Sequence, residues 1–275
     1  YSEKATRELL GQNVVAVGRP NFEACFRAVA SMECDYACLP IENSLGGSIH
    51  DNYDLMLRYD LTIVAEHEFR VHHCLLVKPG VKREDIKYAI SHPQALAQCD
   101  NFLRGLGITP ISTYDTAGSA KMITSGGPLP DRCTRENTAA IASDLAGKTY
   151  GLSCLDKGIE DDDTNFTRFL LLARKDVVQY LTKKTPAKTS VVFTLPDSPG
   201  ALYKALACFS LRDIDFSKIE SRPSRRKAWE NVFFLDVAGH ASDPVVLAAL
   251  EALAPLCETV KVLGSYPVAE AVRPQ

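Results

Sequence analysis

Residues 158–174 read GIEDDDTNFTRFLLLAR. Four consecutive acids, 160–163, give way to Thr164, Asn165, Phe166, Thr167 and Arg168, and then to an unbroken apolar run at 169–173. An apolar run without polar alternation fits a strand covered on both faces of an α/β sheet, and a buried helix shows the same pattern. In the strand reading, Asn165, Thr167 and Arg168 stand where a solvated loop enters the core. An amide, a hydroxyl and a guanidinium placed there suit a small polar ligand. The plainer reading is an acidic turn and a strand with an edge threonine.

Strand and helix signals alternate on the N-terminal side of this run. The spacing predicts strands at 14–17, 36–39, 61–64, 74–77, 88–90, 108–112 and 138–141. Helices are expected after an Asn21 cap and at 49–59, 93–106, 116–124 and 143–150, which makes an α/β pattern with short connections. Beyond the run the composition turns polar, and a linker is expected at 182–188. The remainder, 189–275, alternates strand, helix, strand, strand, helix, strand, the ferredoxin-like βαββαβ order.

Composition narrows the function. The chain has 275 residues, 46% apolar, with a formal charge of -3. That supports one large or two smaller cored domains and argues against a nucleic-acid surface. No apolar stretch approaches the roughly 20 residues of a membrane span. Nine scattered cysteines fit reduced thiols better than a disulfide framework, and Cys34 and Cys38 lack a second pair at zinc-ligand spacing. The opening YSEKATRELLG reads as a helix already under way without a targeting signal, so the expectation is a domain that begins further upstream.

Three loops carry possible chemistry. PIENSLGGSI, 40–49, leaves a strand through a polar glycine-containing loop, where Asn43, Ser44 and Ser48 offer donors beside a helix start. Ser91-His92-Pro93-Gln94 enters the helix that carries Gln98 and Cys99, with Ser91 as a possible cap. Tyr114-Asp115-Thr116-Ala117-Gly118-Ser119 repeats the design, and Thr116 and Ser119 share a helix face. Ordinary capping explains each loop singly. Several on one scaffold suggest a cleft for a small anion. No glycine-rich nucleotide motif is present, so no cofactor and no metal are expected.

Taken together, ENSLGGSIHDNYDLML, SHPQALAQC, DTAGSAK, IASDLAGKTYGL and NFTRFLLLAR resemble the prephenate dehydratase family, including the plant-type arogenate dehydratases. Pro199-Gly200-Ala201-Leu202 and Glu220-Ser221-Arg222-Pro223 resemble the ACT regulatory domain attached to those enzymes. The match spans almost the whole chain, except that the family opens with a strand and glycine-rich turn ahead of Tyr-Ser-Glu. The resemblance implies a two-lobed, periplasmic-binding-protein-like catalytic domain at 1–181. One lobe would be about 1–80 with 159–181 and the other 81–158, followed by the linker and an ACT domain at 189–275. It implies a decarboxylating dehydratase that turns prephenate into phenylpyruvate, or arogenate into phenylalanine, with loss of carbon dioxide and water.

In that reading Thr167 assists the leaving hydroxyl. Asn43, Ser44, Ser91, Gln98, Thr116, Ser119 and Asn165 hold the substrate by neutral hydrogen bonds. Arg168 meets a carboxylate or pairs with one of the acids at 160–163. Phenylalanine, as effector, would bind at Pro199, Gly200, Ala201 and Leu202, with Glu220, Ser221, Arg222 and Pro223 completing the pocket across a dimer interface. A homodimer or homotetramer is implied, and Asn52-Tyr53-Asp54 and Leu263-Gly264-Ser265-Tyr266-Pro267-Val268 resemble the plant-type enzymes, which favours the plastid stroma over the cytoplasm. The alternative is a two-lobed amino-acid sensor without catalysis.

Overall fold

The run 169–173 is a strand, at the centre of its sheet. The computed structural model describes residues 1–125, 127–178, 186–225 and 229–269. The chain begins with α1 (Ser2–Leu10), α2 (Phe22–Ala30), β1 (Tyr36–Asn43), the short β2 (Gly47–Ser48), α3 (His50–Arg58) and β3 (Thr62–Arg70). Next come β4 (Cys74–Val77), β5 (Tyr88–Ser91), α4 (Pro93–Ala97), α5 (Asp100–Gly105) and β6 (Thr109–Ser112). They are followed by α6 (Thr116–Thr124), β7 (Thr138–Ala142), α7 (Asp144–Tyr150) and β8 (Ser153–Lys157). The chain then returns through β9 (Phe166–Ala173) and α8 (Lys175–Val178). The C-terminal part is β10 (Ala187–Thr194), α9 (Ala201–Ser210), β11 (Phe216–Pro223), β12 (Asn231–Ala238), α10 (Pro244–Leu253) and β13 (Thr259–Pro267).

Three sheets result, with orders β2-β1-β9-β3, β6-β5-β7-β4-β8 and β11-β12-β10-β13. The first two are the two lobes of the α/β part, and the third, antiparallel throughout, is the βαββαβ unit. The chain passes from the first sheet to the second between β3 and β4, earlier than residue 80, because β4 pairs with β7 and β8. Of the expected linker 182–188, residues 182–185 lie outside the described residues, and Ala187 and Lys188 already belong to β10.

Both faces of β9 are covered, which is why its sequence shows no alternation. Phe169, Leu171 and Ala173 pack with residues such as Ala5 and Leu9 of α1. Leu170 and Leu172 point the other way, into a core shared by Phe26, Val29, Tyr53 and Met56 with Val192, Phe234, Leu263 and Tyr266 of the third sheet. One face of the first lobe's sheet is therefore roofed by the C-terminal domain itself. At about 1.5–3 kcal/mol per buried large apolar side chain, this shared core is a major part of the fold's stability. Tyr53 meets Phe234 edge to face at 4.9 Å between ring centres. Gly264 lies so close to the first lobe that a Cβ there would sit 2.1 Å from the Ile63 carbonyl oxygen.

Two expectations need correction. Residues 14–17 form no strand, and Val15 is 89% exposed; a short apolar run does not make a strand without a neighbouring edge to pair with. The helix expected over 93–106 is split into α4 and α5, because Asp161 from the acidic run caps the second piece. Its carboxylate accepts from Asn101 N at 3.0 Å and Phe102 N at 3.3 Å, while its own N–H donates to Gln98 O at 2.7 Å.

Candidate active site

β1 and β9 bring Asn43 directly opposite Thr167. Asn43 Oδ1 accepts the backbone N–H of Leu45 at 3.1 Å and of Gly46 at 2.8 Å, which fixes the orientation of its amide. Asn43 Nδ2 therefore donates to Thr167 Oγ1 at 3.0 Å, Asn165 Oδ1 at 2.8 Å and Phe166 O at 3.0 Å. Thr167 accepts in this pair, so its own hydrogen is left for another acceptor, and no described residue takes it.

The second lobe reaches the same point. Gln98, at the C-terminal end of α4, extends Nε2 to Asn43 Oδ1 at 3.4 Å and Oε1 to His73 Nε2 at 2.9 Å. His73 Nε2 then carries the proton, and Nδ1, at 2.7 Å, accepts from the Tyr1 hydroxyl. Burial holds His73 below its usual range, with Gln98 and Glu160 opposing only partly, which favours the neutral ring this pattern requires. One chain of polarised hydrogen bonds thus runs Tyr1, His73, Gln98, Asn43, Thr167 across both lobes. Asn165 is fully buried beside it, with Nδ2 unpartnered. An orphaned donor next to a free hydroxyl marks where a small acceptor belongs.

Asn43, Gln98, Asn165 and Thr167 are the predicted residues that the fold gathers. The others stand elsewhere. The Ser44 hydroxyl donates to Thr164 O at 2.6 Å and accepts from Phe166 N at 2.9 Å, so it straps a turn and is not free for substrate. Ser91 ends β5 with its hydroxyl on Ile141 O at 2.6 Å, fully buried, and His92 takes the cap position that was expected for Ser91. Ser119 is turned inward, on Asp115 O at 2.6 Å and against Thr113 Oγ1. Thr116 opens α6 half-buried, with Asp115 as the cap, and is outside the chain of bonds through Thr167.

Arg168 is the largest correction. Adjacent strand residues face opposite sides, so Arg168 points away from Thr167 into the domain junction. It bonds Glu66 Oε2 at 2.8 Å, Asp236 Oδ2 at 2.6 Å and the Tyr266 hydroxyl at 3.0 Å. Burial opposes its charge, yet Asp236, Tyr266 and Glu66 hold its pKa above the usual value. Glu66, Asp236 and Tyr266 therefore take the place that the acids at 160–163 were expected to fill. Glu160 instead accepts from His73 N at 2.8 Å and pairs with His72, and Asp162 takes the Thr164 hydroxyl at 2.6 Å.

His73 and Tyr1 were missed by the sequence reading. The available signal was a histidine immediately before the apolar run 74–77. A recess of about 1390 Å3 also opens between α1, loop 14–21 and β1, with His92, Tyr114 and Asp115 on its wall. Thr167, Asn43 and Gln98 do not line it; they meet in the buried cluster instead. Among the described residues no group of three or more His, Cys, Asp or Glu could hold a metal ion. No described helix is long and apolar enough to cross a membrane.

In the C-terminal domain Gly200 takes φ 77° at the start of α9, a conformation that favours glycine, and Pro199 and Gly200 are exposed there. Ala201 and Leu202 form the first turn of α9. β11 divides the second expected group. Glu220 faces the first lobe, where Ser48 Oγ donates to it at 2.5 Å, and Arg222 reaches Asp54 at 3.2 Å. Ser221 and Pro223 point to the opposite, exposed side. Burial works against the charge of Glu220, but Ser48 and Lys218 keep its pKa below the usual carboxylate value.

The model of the family described as prephenate dehydratase matches residues 1–177, and that of the ACT domain matches 189–255. The chain belongs to the prephenate dehydratase family. The chloroplastic arogenate dehydratase/prephenate dehydratase 1 of Arabidopsis thaliana is 45% identical over 282 residues, covering 98% of this chain and 69% of that protein. The prephenate dehydratase of Arthrobacter aurescens, solved in complex with L-Phe, is 32% identical with a TM-score of 0.85, over 97% of this chain and 86% of that one. A structure described as GqqA, a novel type of quorum quenching acylase, gives a TM-score of 0.86 at 33% identity, over 98% of this chain and 94% of that one. Burial pushes Cys38 up to about 11 and raises Cys99 further.

Proposed function

We propose that this member of the family is the decarboxylating dehydratase of phenylalanine biosynthesis, and that it works at the Asn43–Thr167 pair. The observation that carries this reading is the polarity of the bond at Thr167: its oxygen accepts Asn43 Nδ2 at 3.0 Å, leaving its hydrogen to donate. In prephenate or arogenate the bond from the ring to the departing carboxylate breaks and its electron pair enters the ring. The ring hydroxyl leaves with the pair of its carbon–oxygen bond and needs a proton or a strong hydrogen bond as it goes. Thr167 supplies that donor. Threonine is a weak acid, so its effect comes from fixed direction in a site that is 9% exposed at this residue. Asn165 Nδ2 and Gln98 hold the substrate with uncharged donors. An uncharged grip stabilises the outgoing carboxylate less than a guanidinium would, which favours its loss.

The catalytic domain would comprise both lobes up to 181, with 189–275 regulatory. Phenylalanine control is supported by the matched ACT domain and by the left-handed Gly200 at the head of α9. We place the chain in the plastid stroma, as a homodimer or homotetramer; β11 is a sheet edge, and Tyr203, Leu211 and Trp229 are strongly exposed.

The test is turnover. Incubated separately with prephenate and arogenate, the chain should yield phenylpyruvate and phenylalanine respectively, and the ratio of kcat/KM names the preferred substrate. Calorimetry with phenylalanine tests the effector. Binding of both compounds without product would establish the sensor reading instead.

A further inference from the structure

Four charges form a rectangle where the two domains meet. On the first sheet Glu42 stands opposite Arg168, and on the third Lys218 stands opposite Asp236. The two pairs face each other across the junction. Lys218 Nζ lies 2.6 Å from Glu42 Oε1, and Arg168 Nη1 lies 2.6 Å from Asp236 Oδ2. Each attraction therefore crosses between domains, with opposite polarity at the two corners. Asp236 is fixed in turn by the Ser190 hydroxyl at 2.5 Å, and Arg168 by Glu66 at 2.7 Å. Lys218 also lies 3.0 Å from Ser48 Oγ and 3.4 Å from Glu220.

The reactive pair is one residue further along each strand. The ladder of β1 and β9 keeps one register from Tyr36↔Ala173 to Pro40↔Phe169, then shifts before Glu42↔Arg168 and Asn43↔Thr167. Ile41 is the bulged residue. A bulge interrupts the ladder, so the register beyond it is not imposed by the strand before it. Only two cross-strand couples follow, Glu42↔Arg168 on the junction side and Asn43↔Thr167 on the reactive side.

We propose that Lys218 and Asp236 are positioning residues of the active site: by holding Glu42 and Arg168, the C-terminal domain sets the register that brings Asn43 onto Thr167. This rests on the role given above to Thr167. The rectangle is more than a fastening between domains, because a fastening could sit anywhere on the shared face. This one sits on the strand positions that back directly onto the reactive couple.

The experiment uses the full chain with Lys218→Met, Lys218→Arg, Asp236→Asn and the double variant Glu42→Gln/Lys218→Met. Displacements of about 1 Å at reacting groups cost on the order of a hundredfold in rate, so Lys218→Met should lower kcat at least about tenfold with KM little changed. Lys218→Arg should recover most of that loss. The double variant should be no slower than Lys218→Met, because both act through one contact. Thermal melts identify the folded variants, and if Lys218→Met does not fold, Asp236→Asn is read in the same way. A folded variant with unchanged kcat, a loss confined to KM, or additive losses in the double variant would overturn the proposal. A wild-type chain without turnover would instead defeat the reading of Thr167, and this inference with it.

Discussion

Asn43 Nδ2 and Thr167 Oγ1 are 3.0 Å apart, with the asparagine donating and the threonine accepting. The direction of that one bond makes the threonine a donor to whatever lies beyond it. Removing the hydroxyl with Thr167→Ala should reduce kcat by about 10²–10⁴ while KM changes little. Asn43→Asp tests the direction itself. A carboxylate at 43 would draw the Thr167 hydrogen toward itself, and turnover should fall about as far as in Thr167→Ala. Steady-state kinetics on both variants checks this; near-normal turnover in either removes Thr167 from the mechanism.

Burial lowers the pKa of His73 from its usual value near 6.5. Above that pH the ring is neutral in folded and unfolded chains alike. As pH falls through about 6.5 the unfolded chain takes up a proton that the folded chain resists. The fold therefore loses up to about 1.4 kcal/mol per pH unit from this group until the folded pKa is reached. His73→Gln should flatten that part of the curve. Denaturant melts of both proteins from about pH 8 to 5 give the comparison, and parallel curves would exclude a buried neutral His73.

Gly264 is required by proximity. A methyl group there would lie 2.1 Å from the backbone oxygen of Ile63, so Gly264→Ala must push β13 away from β3. The expected cost is about 1–3 kcal/mol, read as a drop in Tm. An unchanged Tm would mean the two strands do not approach each other this closely.

Leu170 is 4% exposed and lies in the core shared by both domains. Leu170→Ala should cost about 2–5 kcal/mol. Because the lost contacts belong to both domains, a single unfolding transition should move as a whole. Two separated transitions would contradict a common core.

The sequence carried the α/β lobes, the βαββαβ unit and the strand at 169–173, because each rests on local periodicity. It also carried the residue types of the hydrogen-bonded cluster at 43, 98, 165 and 167. Facing was not legible. Ser91 and Ser119 have the right chemistry for a ligand, yet their hydroxyls bond Ile141 O and Asp115 O inside the second lobe. Arg168 follows Thr167 in sequence, but the pleat of β9 sends the two to opposite sides. The break in the helix at Gln98 depends on Asp161, a partner far along the chain that no local pattern reveals. His73, next to His72, looked like any histidine until its partners Tyr1, Gln98 and Glu160 were visible.

The roof over β9 has a practical corollary. Expressed alone, the first 178 residues would carry Leu170, Leu172 and Tyr53 on bare, wet ground. Such a fragment should clump unless the missing half is supplied in trans. For this enzyme, regulation cannot be trimmed off to leave a tidy catalyst behind, because the sensor's floor is also the catalyst's ceiling.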